Sequence, residues 1–124
     1  MKKHYLCSAS EITTDNHRVF NIGRHSFGVF FVGGKYYGLR NVCPHQGAPL
    51  CEGAGVFDQI EAEVTSDRKV REFVKTKKCI VACPWHGFEY DIRTGQSLVR
   101  KDWKVKTYEI HVDDKNDLYV ELPK

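Results

Sequence analysis

The stretch Phe27-Gly28-Val29-Phe30-Phe31-Val32-Gly33-Gly34-Lys35-Tyr36-Tyr37-Gly38-Leu39-Arg40 decides the fold class. Aromatic and β-branched residues from Phe27 to Val32 favour a strand. Gly33-Gly34 then permits a tight hairpin turn into a second strand, Lys35 to Arg40. The same signature recurs on either side. Val19 to Ile22 reads as a strand closed by a turn at Gly23. Late in the chain, Lys104 to Val112 alternates apolar and polar side chains, Asp113 to Asp117 is a polar turn, and Leu118 to Leu122 returns as a last strand. Arg93-Thr94-Gly95-Gln96 is a further turn, between Phe88–Ile92 and Ser97–Val99. These features predict an all-β fold of small antiparallel sheets. The charged middle, from about Gly53 to Lys78, is less regular. Val70, Phe73, Val74 and Lys77 fit one face of a short helix, but a β-rich run follows at once. The preferred reading is a hairpin, Glu72–Lys75 turning at Thr76-Lys77 into Lys78–Ala82.

A chain of 124 residues is long enough for one hydrophobic core, so a single domain over 1–124 is expected. With 41% hydrophobic and 28% charged residues, the composition is that of a globular chain. The net charge of +3 gives no case for nucleic acid as the main partner. No apolar run approaches the roughly 20 residues that span a bilayer, so no membrane partner is expected. Met1-Lys2-Lys3-His4-Tyr5-Leu6-Cys7 turns polar at Ser8 and offers no signal-peptide core, which predicts a cytoplasmic protein. Five cysteines, an odd number without an export signal, favour a metal or redox site over a disulfide framework.

Two segments supply such a site: Cys43-Pro44-His45-Gln46-Gly47-Ala48-Pro49-Leu50-Cys51 and Cys83-Pro84-Trp85-His86-Gly87. Each pairs a thiol with an imidazole in a loop after a strand. Pro44 and Pro84 stiffen the loops, and Gly47 and Gly87 permit backbone conformations that a side chain would block. Thiolates and imidazoles together suit zinc, copper or iron–sulfur chemistry and argue against magnesium or calcium. Spacing alone leaves these open, including a structural zinc site with two thiolates and two imidazoles. Colour separates them: the zinc form is colourless and an oxidised cluster brown-red.

The double box, CPHQGAPL followed by CPWHGFEYD, resembles the cluster-binding boxes of Rieske proteins, with a likeness extending from about Val29 to Leu122. That resemblance implies a Rieske-like fold with a cluster-binding subdomain at about 41–92, and one [2Fe–2S] cluster. Cys43 and Cys83 would hold one iron; His45 and His86 would hold the other. Gln46, Gly47, Trp85, Gly87 and Tyr90 would surround it. Two ferric ions, two sulfides and two thiolates sum to zero charge, so an electron is accepted more readily than by a four-thiolate centre. Such centres span about −150 to +300 mV, against about −400 mV for plant-type ferredoxins. High-potential members carry an extra cysteine in each box, joined as a disulfide; the matching positions here are Ala48 and Trp85. They also carry a serine near a cluster sulfur where this chain has Phe88, leaving Tyr90 as a donor. A low-potential, ferredoxin-like centre is expected.

The resemblance implies a one-electron carrier between a flavin reductase and a terminal oxygenase or other reductase, with no turnover by this chain alone. The alternative is an electron-transfer subunit fixed in a larger oxidoreductase complex of oxygenase or nitrite-reductase type. Redox sensing ranks last, for want of a second output element. The 37 residues between His45 and Cys83 exceed the spacing of compact members, and the excess is the charged segment at about 53–78. Its basic residues, Arg68, Lys69, Arg71, Lys75, Lys77 and Lys78, read first as a solvated face; a sharper possibility is a flap beside the cluster that steers an acidic partner. Cys7, Cys51 and Cys79 read as buried apolar residues, and His4, His17, His25 and His111 lack partners at ligand spacing. Phe27, Phe31, Tyr37, Tyr108 and Tyr119 fit core positions on strands, while Trp85 is expected to shield the cluster and cover a docking face.

Overall fold

Phe27 to Val32 is apolar without alternation because its strand, β3 (His25–Val32), is covered on both faces. Phe27 and Val29 enter one hydrophobic cluster with Leu118, Val120 and Leu122. Phe30 and Val32 enter a second, with Leu39, Leu50, Ile80, Tyr90 and Ile92. Full burial of a side chain of this size contributes about 1.5–3 kcal/mol, so β3 ties the two halves of the molecule together.

The computed structural model describes residues 2–44, 47–52, 56–85 and 87–123, with the backbone alone for Glu61 and Thr76. The remaining strands are β1 (Lys2–Ser8), β2 (Arg18–Ile22), β4 (Lys35–Arg40), β5 (Val56–Val64), β6 (Val70–Ala82), β7 (Glu89–Asp91), β8 (Thr107–Tyr108), β9 (Ile110–Val112) and β10 (Asp117–Leu122). They form three antiparallel sheets, in the orders β1-β10-β9, β2-β3-β4-β8 and β5-β6-β7. There is no α-helix among the described residues, and no helix long and apolar enough to cross a membrane. The all-β expectation holds.

Three local readings need correction. The turn expected at Thr76-Lys77 is absent: β6 runs unbroken from Val70 to Ala82 and pairs with β5 as a long two-stranded arm. The chain reverses instead at 65–69. There the Thr65 N–H donates to Lys69 O at 2.8 Å, the Thr65 hydroxyl bonds the Asp67 carboxylate, and Arg68 takes a left-handed φ of 65°. Around 76–78 the strand only bulges: Lys78 has a φ of 51° and its N–H donates to Asp58 Oδ1 at 2.9 Å. Second, the alternation of Lys104 to Val112 divides at Glu109, because β8 pairs with β4 and β9 with β10. Third, Ser97–Val99 forms no strand and makes a single bridge, Ser97 to Tyr90. The start of the expected insertion, Gly53 to Gly55, lies outside the described residues.

Candidate metal centre

The two cysteine–histidine loops share one backbone frame. The Cys43 N–H donates to Ala48 O at 2.8 Å, and the Gly47 N–H returns to Cys43 O at 2.8 Å. In the second loop the Cys83 N–H donates to Phe88 O at 2.7 Å, and the Gly87 N–H returns to Cys83 O at 2.8 Å. Closing each loop needs a left-handed residue at its fifth position, where Gly47 and Gly87 have φ of 74° and 72°. The first loop follows β4 and the second follows β6, so both leave strand ends that meet in the same core cluster.

Each loop opens on a buried thiol: Cys43 and Cys83 are each 1% exposed. Neither forms a disulfide, and nor do the other three cysteines. The Tyr90 hydroxyl, wholly buried on β7, lies 3.3 Å from Cys43 Sγ. Burial pushes the Tyr90 pKa well above the ordinary phenol value, and the adjoining Cys43 and Cys83 thiolates push it further. The hydroxyl therefore keeps its proton and can donate it to sulfur. Two buried thiols with no disulfide, served by one phenol donor, match the sulfur half of a mixed thiolate–imidazole metal site. His45, His86 and Gln46 lie outside the described residues.

Neighbouring side chains hold the loops in place. Asn41, 6% exposed, accepts from the Cys51 N–H at 2.7 Å and donates to Glu52 Oε2 at 2.6 Å, which fastens the end of the first loop back to the end of β4. Phe88 packs edge-on to Trp103 with ring centroids 5.0 Å apart. The Gln96 amide nitrogen donates towards the carbonyls of Arg100, Lys101 and Trp103 at 3.1–3.2 Å, shaping the 97–103 loop. That loop is tied to the start of β7 by Leu98 N–H to Glu89 O at 3.0 Å. Sequence reasoning did not single out Asn41, Gln96 or Trp103.

Among the other expected residues, Ala48 is fully buried and Trp85 is 57% exposed, so Trp85 stands on the rim of the second loop. Cys7, Cys51 and Cys79 are buried, as expected of small apolar residues. Burial lifts the Cys51 thiol to about 12, an inert range, and its Sγ faces Leu39 O at 3.6 Å. His17 stacks on Phe30 at 4.6 Å and bonds Cys51 O at 2.8 Å, a structural role. Phe27 and Tyr108 are buried in the core; Phe31, Tyr37 and Tyr119 are half-buried.

An all-β scaffold presenting two like-framed loops, each opening on a buried thiol, defines the class: a loop-held metal centre. The chain belongs to the Rieske [2Fe-2S] domain family, whose sequence model matches residues 2–109. The prosthetic group of that domain is a [2Fe–2S] cluster, and the thiol pair fits it. The 3-phenylpropionate/cinnamic acid dioxygenase ferredoxin subunit of Escherichia coli K12 is 27% identical over 96 residues, covering 77% of this chain and 71% of the relative. The fold is similar to that of Sphingomonas yanoikuyae B1 ferredoxin, with TM-score 0.69, 21% identity and coverage of 98% and 100%. It is equally similar to a chain in a complex of reduced oxygenase and oxidised ferredoxin of carbazole 1,9a-dioxygenase: TM-score 0.69, 22% identity, coverage 95% and 100%.

Proposed function

We infer that this chain is a one-electron carrier of low potential that passes electrons between a flavin reductase and a terminal oxygenase or other acceptor, in the cytoplasm. The observation that carries this reading is the pair of matched loops around buried Cys43 and Cys83, served by Tyr90. Ferredoxin subunits of dioxygenases among the relatives support the partners. The [2Fe–2S] group, when bound, takes up and releases a single electron.

The chain's own residues supply the rest. Cys43 and Cys83 would hold one iron, and His45 and His86 the other. The Tyr90 hydroxyl donates to Cys43 and stabilises added negative charge there. Phe88 and Trp103 pack on each other and against the core cluster that holds both cysteines. Exposed Trp85, with Pro44 and Pro84, forms a neutral, partly apolar rim suited to a small contact and fast release. The whole chain acts as one unit, with its cluster-binding part at about 41–92. Mixing the reduced protein with an oxidised dioxygenase and following the visible spectrum by stopped flow tests the reading. Single-electron reoxidation at a rate dependent on acceptor concentration is expected, and an unreactive reduced protein would refute it.

One observation favours the alternative, a subunit held in a larger complex. Ile60, Val64, Val70 and Val74 share a face of the β5–β6 arm and are 53%, 73%, 69% and 44% exposed. Exposed valines and isoleucines aligned this way are unusual on a free monomer. Size-exclusion chromatography separates the two: a free carrier elutes as a small monomer, and an obligate subunit self-associates or elutes in its complex.

A further inference from the structure

A cavity of about 630 Å³ opens where β1, the β2–β3 turn and the end of β10 meet, apart from the cysteine loops. Lys2 and His4 line one wall; Arg24 and His25 line the other. The position of the first two runs against the usual logic of a sheet. Lys2 pairs with Leu122 and His4 with Val120, and directly opposed residues share a face. Leu122 and Val120 belong to the core, so β1 turns two basic residues towards the interior side of its sheet. An inward-facing cation at a sheet margin needs a counter-charge or water.

No acidic side chain lines this cavity among the described residues. Glu121, adjacent to Leu122 on β10, points to the opposite face. There its carboxylate lies 3.3 Å from His111. Lys2 and Arg24, both exposed to solvent, form no ion pair with a described residue. His25 uses Nδ1 towards the Tyr108 hydroxyl at 3.3 Å, which leaves its Nε2 available. The floor differs in character: Ile22 and Pro123 present its apolar surface, with the buried Leu122 beneath them. Positive walls over an apolar floor, in a volume within the range of about 300–1,000 Å³ for small-molecule sites, describe an amphiphilic ligand.

We propose that this cavity binds a small organic carboxylate, its head between Arg24, Lys2 and the two imidazoles and its apolar body on Ile22 and Pro123. Inorganic phosphate would satisfy the walls and leave the floor wet. A neutral alcohol would cover the floor and leave the cations without a counter-charge.

Isothermal titration calorimetry on the cluster-loaded protein at low ionic strength tests this with three probes: hexanoate, hexanol and inorganic phosphate. Hexanoate should bind saturably at one site, more tightly than either other probe, and weaken as salt is raised. Arg24→Gln and Lys2→Gln should each weaken it about fivefold, the scale of one exposed ion pair. Lys115→Gln, in the turn before β10, should leave it unchanged, and an unaltered visible spectrum shows each variant folded and loaded. Absence of saturable heat, equal binding of hexanol or phosphate, or wild-type affinity in both cavity variants would each overturn the assignment. None of these results bears on the electron-carrier reading, which electron transfer to an acceptor tests separately.

Discussion

Replacing Tyr90 by Phe removes one oxygen and leaves a ring of nearly the same volume in a fully buried site. The lost group is the hydroxyl 3.3 Å from Cys43 Sγ. A hydrogen bond to a charged acceptor is worth about 1.5–3 kcal/mol, and to a neutral one about 0.5–1.5 kcal/mol. The sulfur is more electron-rich after reduction, so the bond favours the reduced state by the difference, about 1 kcal/mol. For a one-electron couple, a tenfold change in equilibrium is about 59 mV, and tenfold corresponds to about 1.4 kcal/mol. Tyr90→Phe should therefore lower the midpoint by about 40 mV. Protein-film voltammetry of both proteins at pH 7 measures the shift, with the visible spectrum as the check on cluster content. A fully loaded variant whose midpoint is unchanged, or higher, refutes the argument that this phenol donates to the Cys43 sulfur.

Four further outcomes follow from the same geometry. The wild-type midpoint should fall in the lower part of the window of about −150 to +300 mV, and Phe88→Ser should raise it by supplying a hydroxyl beside the second loop; a wild-type midpoint near the top of the window would contradict the first, and an unchanged or lower midpoint in the variant the second. Cys51 is neutral in folded and unfolded chains below about pH 8.5, but above that only the unfolded chain releases its proton, because the folded pKa lies at about 12. Stability should then fall as pH rises, and urea unfolding at pH 8 and 10 should show the wild type losing about 2 kcal/mol more than Cys51→Ala. Gly95 has a φ of 79°, and a Cβ there would sit 2.2 Å from Val105 O; Gly95→Ala should cost about 3 kcal/mol or more, seen as a large drop in Tm.

The part of the fold legible in the sequence was the part where local signals agreed. Around β2, β3 and β4, strand propensity and glycine turns specified the same hairpins the structure contains. β1 went unread because Lys2, Lys3 and His4 carry no apolar alternation; β10, from the far end of the chain, makes it a strand. β6 was misread because Thr76-Lys77 looks like a turn in isolation. Its continuity comes from β5 and from the Asp58 carboxylate that accepts the Lys78 N–H, neither of them visible locally. At the site, the burial of Cys43 and Cys83 and the contact of Tyr90 with Cys43 involve residues whose types the sequence had already singled out. Asn41 and Gln96 were not singled out, because their roles are hydrogen bonds to backbone groups brought together by folding.

The order of the strands also decides what the basic segment can do. β5 begins soon after the first loop and β6 ends one residue before Cys83, so added length between them carries the turn away from the loops. β6 has 13 residues. At about 3.3 Å per residue, roughly 40 Å of strand separates Val70 from the second loop. Screening in physiological salt acts over about 8 Å. Arg68, Lys69 and Arg71 therefore lie several screening lengths from any electron-transfer contact made at Trp85, and Arg71 is already paired with Glu63 at 3.1 Å. For Arg68, Lys69 and Arg71, a flap steering an acidic partner at the cluster does not suit this geometry, whereas Lys75, Lys77 and Lys78 lie nearer the second loop. Reversing Arg68, Lys69 and Arg71 to glutamate should leave the on-rate for reduction by a flavin reductase, and its salt dependence, within about twofold of wild type. A fall of tenfold or more would mean that the partner reaches along the arm as well as the rim, and would move the docking surface from Trp85 to the face carrying Val64 and Val70.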